Sequence, residues 1–171
     1  MQDDQVAAEL SHLVNSHRKS DVIASALSRV ERALLSHPDH PQAWEPLSVT
    51  ALPFSIPEGI QSCWIFILRA EASFGAERHP NSHQRTVALS GDALFELLVD
   101  DSWSQLPIRA ANDEMDSTSS VSIPPSIWHR ITIGEENFMS MSFHTVLAEQ
   151  LIEETPVSED LSVTTQRLYH A

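Results

Sequence analysis

The chain contains a single cysteine, Cys63, among its 171 residues. An internal disulfide and a zinc site built on cysteines are therefore excluded. Cys63 lies in a short apolar run over residues 63–68, where a buried, inert thiol is the default interpretation. This run is too short to cross a bilayer, and the acidic N-terminus lacks the basic and apolar regions of a signal peptide. We expect a cytoplasmic protein.

Basic residues are also scarce. Lysine and arginine total 10 against 24 aspartates and glutamates, which gives a formal net charge of -14. Such a surface repels phosphate backbones and anionic lipids, so nucleic acids and membranes are poor candidates as partners. The acidic residues are dispersed, which is typical of an ordinary solvated surface. A hydrophobic content of 42% in a chain of this length favours one globular domain with its own core.

Glycine is rare as well, and the 4 glycines all fall between residues 59 and 134. Residues 1–37 contain none and carry apolar side chains at helical spacing, which predicts two helices, the second ending at the His37-Pro38 pair. The glycine-containing part predicts short strands joined by turns, in an antiparallel sandwich or barrel. The predicted strands cover residues 63–74, 76–79, 84–90, 93–99, 120–123, 128–133 and 138–146.

Two stretches are less regular. Residues 100–119 are rich in Asp, Ser and Asn, and they predict a long surface connection with one short strand near residues 103–108. Residues 147–154 predict a short helix, which a loose or docked tail follows. We divide the chain into a helical layer over residues 1–42, a barrel over residues 43–155 and a C-terminal tail over residues 156–171, all within a single domain.

The candidate site begins at residues 77–84, Glu-Arg-His-Pro-Asn-Ser-His-Gln. Glu77 and His79 are two residues apart, so on a strand their side chains share one face. A carboxylate and an imidazole on one strand, joined by a later histidine, form the ligand set of a two-histidine, one-carboxylate iron(II) site. The alternatives are a strand-end carboxylate paired with a nearby arginine and a core histidine satisfied by hydrogen bonds.

His129 is the candidate for the later histidine. A hairpin turn near Glu136 and Asn137 would set His129 directly opposite His144, although the sequence does not fix the length of the turn. In that register Ser142 and His144 form a polar set beside His129, as acid–base candidates or groups behind the metal ligands. Three further side chains are predicted to bind substrate in this pocket: Gln84, Trp128 and Trp64.

In order and spacing these stretches resemble the cupin superfamily. The pattern Glu-x-His-x4-Gln-x6-Gly over residues 77–91 follows its first motif, and Pro124 followed by His129 follows its second. More narrowly, residues 63–146 resemble the cysteine (thiol) dioxygenase branch, whose Asn-Ser-His, Leu-x-Gly, His-Arg and Ser-x-His stretches have counterparts here in the same order. The resemblance implies a mainly β protein, an antiparallel cupin-type β-barrel (double-stranded β-helix) preceded by two N-terminal α-helices.

The chain departs from that branch at three points. Glu77 replaces the first of three histidine ligands, and a carboxylate is an ordinary iron ligand. Gln84 and Val146 stand where some members carry the cysteine and tyrosine of a crosslink. Residues 45–62 contain no arginine, although the branch holds its substrate carboxylate from this region. Cysteine therefore lacks its expected anchor.

The resemblance implies a mononuclear non-haem iron(II) dioxygenase-like enzyme that acts on a small molecule, with thiols among the candidates. Glu77, His79 and His129 would bind Fe(II), and His144 and Ser142 would be the catalytic residues. Another divalent metal, or none, is left open, as is a monomer or a homodimer. One alternative is a metal-free or degenerate cupin that binds a small molecule without catalysis. Another is a structural domain whose barrel supports the N-terminal helices.

Overall fold

The computed structural model describes residues 2–111, 117–158 and 161–169. Two helices begin the chain, α1 (Gln2–His17) and α2 (Asp21–Ser36), which confirms the prediction for residues 1–37. Asp21 lies in the first turn of α2, where a carboxylate interacts favourably with the helix dipole. Among the described residues, no helix has both the length and the apolar character needed to cross a membrane.

The described strands form three antiparallel sheets. In chain order the strands are β1 (Gln42–Leu47), β2 (Ser62–Leu68), β3 (Ser73–Glu77), β4 (Gln84–Ser90), β5 (Asp92–Val99), β6 (Ser102–Arg109), β7 (Ser120–Ile123), β8 (His129–Ile133), β9 (Phe138–His144), β10 (Ile152–Pro156) and β11 (Thr164–Leu168). A five-stranded sheet has the order β1-β2-β9-β4-β7, and a four-stranded sheet has the order β3-β8-β5-β6. β10 and β11 pair with each other as a C-terminal hairpin.

The outer face of the five-stranded sheet is covered by the two helices. Val87 and Leu89 of β4 and Phe143 of β9 pack in one cluster with buried helix residues such as Leu10 and Val30. Side chains alternate along a strand, so these residues all point away from the other sheet. Val87 and Leu89 therefore pack against the helical layer.

The inner face of the same sheet changes character along its strands. Ala88 of β4 and Phe138 of β9 pack between the sheets against Phe95 and Ile133 of the four-stranded sheet. Further along the same inner face the side chains become polar, with Thr86 on β4 and serines and a histidine on β9. The barrel is therefore apolar near one end and polar near the other.

Several element boundaries differ from the predictions. The strand predicted over residues 63–74 ends at Leu68, because the chain turns at Arg69. β1 was not predicted, and it forms an edge that pairs with β2 along its whole length. The short strand near residues 103–108 is the longer β6, which pairs with all of β5. Residues 112–116 of the predicted surface connection lie outside the described residues.

The helix predicted over residues 147–154 is wrong. The chain makes one 3-10 turn at Ala148–Gln150 and then enters β10. The segment is a strand because β11, from the predicted tail, supplies backbone hydrogen-bond partners that the local sequence does not reveal. Residues 159–160 and 170–171 of that tail lie outside the described residues. The division into three regions stays a prediction.

The predicted hairpin between residues 128–133 and 138–146 is also wrong. β8 pairs with β3 and β5, whereas β9 pairs with β2 and β4, so His129 and His144 lie on different sheets. The segment between β8 and β9 crosses from one sheet to the other. Two hydrogen bonds hold this segment: Gly134 N–H donates to Asp92 O, and the Asn137 side chain accepts from Ala70 N–H.

Gly91, the glycine of the first motif, lies against the backbone of this crossing segment. Its φ is +74°, and a Cβ at this position would lie 2.6 Å from Asn137 O. The backbone conformation and the lack of space both require glycine here.

Candidate metal centre and cavity

A cavity of about 300 Å³ lies between the two larger sheets, at the polar end of the barrel. Because side chains alternate along each strand, the inner-face positions of both sheets reach it. The five-stranded sheet contributes polar residues from β4 and β9, namely Gln84, Thr86, Ser140, Ser142 and His144. The other side of the cavity carries Glu77, His79 and His129.

Glu77, His79 and His129 form one cluster in this cavity. Glu77 ends β3 and pairs with His129, which begins β8, and His79 follows two residues after Glu77. Glu77 Oε1 is 3.4 Å from His129 Nε2 and 4.0 Å from His79 Nε2. One ligand atom from each residue lies within 4.8 Å of the others. The structure thus brings the three predicted ligands together.

Hydrogen bonds orient both imidazole rings. His79 Nδ1 is 2.9 Å from Ile152 O, and His129 Nδ1 is 3.2 Å from Ile127 O. A carbonyl oxygen only accepts, so each Nδ1 carries a proton, and Nε2 is the nitrogen that keeps a lone pair when the imidazole is neutral. His129 Nε2 is buried and has no hydrogen-bond partner among the described residues. Two imidazole nitrogens, one of them without a hydrogen-bond partner among the described residues, and a carboxylate fit a divalent cation.

The protonation states agree with this interpretation. Burial acts to raise the pKa of Glu77, but the contact with His129 outweighs it, and the pKa of Glu77 lies below its ordinary value. Burial lowers the pKa of His79, in opposition to Glu77. Near neutral pH the carboxylate is therefore ionised and the His79 imidazole is neutral, which are the forms that bind metals.

His144 lies beside this cluster without joining it. Its ring meets the His79 ring edge-on, with the centroids 5.0 Å apart. Its Nδ1 is 3.3 Å from Ser82 Oγ, and its Nε2 is 3.3 Å from Ser142 Oγ. Burial holds the pKa of His144 well below its ordinary value. His144 is thus a neutral imidazole, fixed between two hydroxyls in the cavity wall.

The three predicted substrate-binding residues lie in two places. Gln84 lines the cavity and donates to Thr86 Oγ1 at 3.1 Å. Trp64 also lines it, and its buried Nε1–H has no hydrogen-bond partner within the described part of the chain. Trp128 is not among the described residues that line the cavity; its indole lies under the Arg78 guanidinium, 4.5 Å from the ring centroid.

Sequence reasoning missed the residues that the C-terminal hairpin brings to the cavity. Glu153 on β10 and Arg167 on β11 form an ion pair with Nη2 2.7 Å from Oε1. Glu153 Oε2 is buried without a hydrogen-bond partner among the described residues, and burial and Glu77 raise the pKa of Glu153. Tyr169 packs on Trp44 and Trp64 with ring centroids 5.2 and 5.7 Å away. The only sequence signal was weak: Arg167 and Tyr169 are two residues apart.

No family model and no curated protein matches the chain, whereas solved structures do. Pumpkin seed globulin is 15% identical with a TM-score of 0.53, over 68% of this chain and 28% of that chain. The coconut allergen cocosin is 16% identical with a TM-score of 0.52, over 68% of this chain and 29% of that chain. Oxalate decarboxylase from Bacillus subtilis is 16% identical with a TM-score of 0.48, over 62% and 26%.

The chain has the cupin fold. At these identities the likeness shows the fold alone, and the chain spans less than one third of the length of each of these proteins. The predicted mainly β, antiparallel cupin barrel with two N-terminal helices is confirmed. These structures do not support the narrower resemblance to the cysteine dioxygenase branch.

Proposed function

We propose that this cupin is a metal-dependent enzyme that acts on a small molecule within the barrel. The observation that carries the proposal is the convergence of His79 Nε2, His129 Nε2 and a Glu77 carboxylate oxygen inside a cavity. His129 Nε2 also supports it, because this buried nitrogen has no hydrogen-bond partner among the described residues and faces Glu77 Oε1 at 3.4 Å.

The donor set favours iron(II) as the metal. Two imidazole nitrogens and one carboxylate on one side of an ion leave positions free for a substrate and dioxygen. When bound, the metal would supply dioxygen activation, which is the chemistry of the dioxygenase-like class proposed here. Thiols are the first substrates to test, because the order of the sequence motifs resembles the thiol dioxygenase branch.

The chain's own residues have separate tasks in this proposal. Glu77, His79 and His129 would hold the metal. His144, whose ring contacts the hydroxyls of Ser142 and Ser82, would orient the substrate or carry a proton at Nε2. Trp64 Nε1–H and Glu153 Oε2 offer a hydrogen-bond donor and an acceptor to a bound molecule, since neither has a partner among the described residues. The net charge of -14 is the reason that nucleic acid and membrane are left out.

Anaerobic titration of the purified protein with iron(II) tests the proposal. We expect stoichiometric binding by the wild type and a loss of at least about tenfold in affinity for Glu77→Ala and His79→Ala. His37→Ala is the matched control, because His37 is an exposed histidine at the end of α2 and should leave the titration unchanged. Oxygen consumption with a panel of small thiols then tests the reaction class.

The opposite result would favour the metal-free alternative. If the wild type, Glu77→Ala and His79→Ala all bind iron equally weakly, the barrel is a degenerate cupin that binds a small molecule without metal. The replacement of both crosslink positions, by Gln84 and Val146, favours this second function. Sedimentation of the same samples separates a monomer from a homodimer.

A further inference from the structure

The segment that carries Glu77 and His79 is hydrogen-bonded at successive residues to β10, the first strand of the C-terminal hairpin. Arg78 N–H donates to Glu154 O at 3.0 Å, and Glu154 N–H donates back to Arg78 O at 2.9 Å. Arg78 Nε also donates to Glu154 Oε2 at 2.6 Å. His79 Nδ1 then donates to Ile152 O at 2.9 Å. The hairpin is therefore attached directly to a proposed metal ligand.

Asn81 completes this attachment from the turn after His79. Its Nδ2 donates to Gln150 O at 2.7 Å, and its Oδ1 accepts from Ile152 N–H at 3.1 Å. The peptide groups of Ile152 are thus held on both sides: the N–H by Asn81 and the carbonyl by His79. Asn81 belongs to the Asn-Ser-His stretch, for which the proposed metal centre alone gives no role.

The end of β11, the second strand of the hairpin, is hydrogen-bonded next to Ile152. Tyr169 N–H donates to Leu151 O at 2.8 Å, next to Ile152. The Tyr169 ring lies edge-on to the His79 ring, with the centroids 6.4 Å apart. The ion pair between Arg167 and Glu153 joins β11 to β10 at the cavity. A shift of Ile152 would therefore move the hairpin's cavity side chains together with the His79 hydrogen bond.

From these contacts we infer that Asn81 is a positioning residue for the metal centre, and that metal binding and docking of the C-terminal hairpin are thermodynamically coupled. The inference rests on the proposed function. Asn81 fixes Ile152, the Ile152 carbonyl fixes the tautomer and orientation of His79, and His79 Nε2 then faces the metal position. Partners of this kind commonly change metal affinity by about 10- to 100-fold. Coupling is reciprocal, so a bound metal must also hold the hairpin more firmly.

Two measurements on the full chain test this inference, with Co²⁺ as the probe metal. The first is Co²⁺ affinity by calorimetry for the wild type, Asn81→Ala and Asn137→Ala. Asn137 is the matched control, because its side chain also bonds a distant backbone group, Ala70 N–H, but lies on the sheet crossing after Gly134. We expect a loss of about tenfold for Asn81→Ala and no change for Asn137→Ala. Asn81→Asp keeps the acceptor for Ile152 N–H and should fall between the two.

The second measurement is hydrogen exchange of the backbone amides of Ile152, Glu154 and Tyr169, with and without Co²⁺. Added metal should slow their exchange in the wild type, and it should have no such effect in His79→Ala. Circular dichroism identifies any variant that fails to fold, and in that case the wild-type exchange comparison alone decides.

The possible results separate the inference from the proposed function. If the wild type binds no Co²⁺, both the proposed metal centre and the coupling are overturned. If the wild type binds Co²⁺ but hairpin exchange is unchanged, the coupling alone is wrong. Equal Co²⁺ affinities for Asn81→Ala and Asn137→Ala would assign Asn81 a purely structural role. A tenfold loss together with metal-dependent protection supports the inference.

Discussion

The two faces of the five-stranded sheet are built from the same strands but serve different ends. On β9, Met141 and Phe143 point outward into the helices and are fully buried among apolar side chains. Ser142 and His144 point inward to the cavity and are equally buried, but among polar groups. Burial of apolar surface on the outer face stabilises the fold. The inner face gives up part of that stabilisation because it places hydrogen-bonding groups around the cavity.

The largest expected effect is on the outer face. Phe143→Ala removes a fully buried ring from the cluster beneath the helices and should lower the free energy of unfolding by about 3–5 kcal/mol. Urea denaturation of the purified proteins measures this change. Leu35→Ala is the control, because that side chain is 70% exposed on α2 and should change stability by less than about 0.5 kcal/mol. A loss below about 1 kcal/mol for Phe143→Ala would contradict the role given to the outer face.

A smaller effect is expected one residue away, on the inner face. Ser142→Ala removes contacts of 3.2 Å to Thr86 Oγ1 and 3.3 Å to His144 Nε2, and should cost about 1 kcal/mol of unfolding free energy. The same substitution should change the ¹⁵N chemical shifts of the His144 ring, because Nε2 loses its partner. Unchanged ring shifts would show that Ser142 does not fix His144, and a cost as large as that of Phe143→Ala would remove the contrast between the two faces.

The smallest effect is expected on the outer face of the four-stranded sheet, at an ion pair. Glu96 accepts from Arg130 Nε at 2.7 Å, and this contact lowers the pKa of Glu96 below its ordinary value of 4.5. Since the folded-state pKa is the lower one, the pair stabilises the protein above pH 4.5, and this contribution is lost as the pH falls through the folded-state pKa. Glu96→Gln should therefore cost less than about 1 kcal/mol at pH 7.

Unfolding experiments at pH 7 and pH 3 check this dependence. The difference in stability between the wild type and Glu96→Gln should be present at pH 7 and should be smaller at pH 3, below the ordinary pKa of 4.5. High salt should reduce the difference at pH 7, because the Arg130 side chain is 41% exposed. A difference that grows on acidification would contradict the sign of the pKa shift.

Much of the barrel could be predicted from local patterns. The strand over residues 84–90 and the helices over residues 1–37 followed from local patterns of residue type and apolar spacing. The pairing of strands could not be predicted in the same way. A turn between β8 and β9 suggested a hairpin, but each strand bonds to partners far away in sequence. Local sequence does not reveal such partners, because their hydrogen bonds form between backbone groups common to all residues.

The sequence by itself determined the chemical groups of the candidate site. Glu77 and His79 were identified from spacing and residue type, because few side chains can bind a metal and alternation on a strand is fixed by geometry. His129 was added through the resemblance to the cupin motifs. Only the tertiary structure decided what surrounds them. The C-terminal hairpin brings Glu153, Arg167 and the Ile152 carbonyl to the cavity across more than seventy residues of chain. That closure depends on packing and hydrogen bonds between distant segments, which no local pattern encodes.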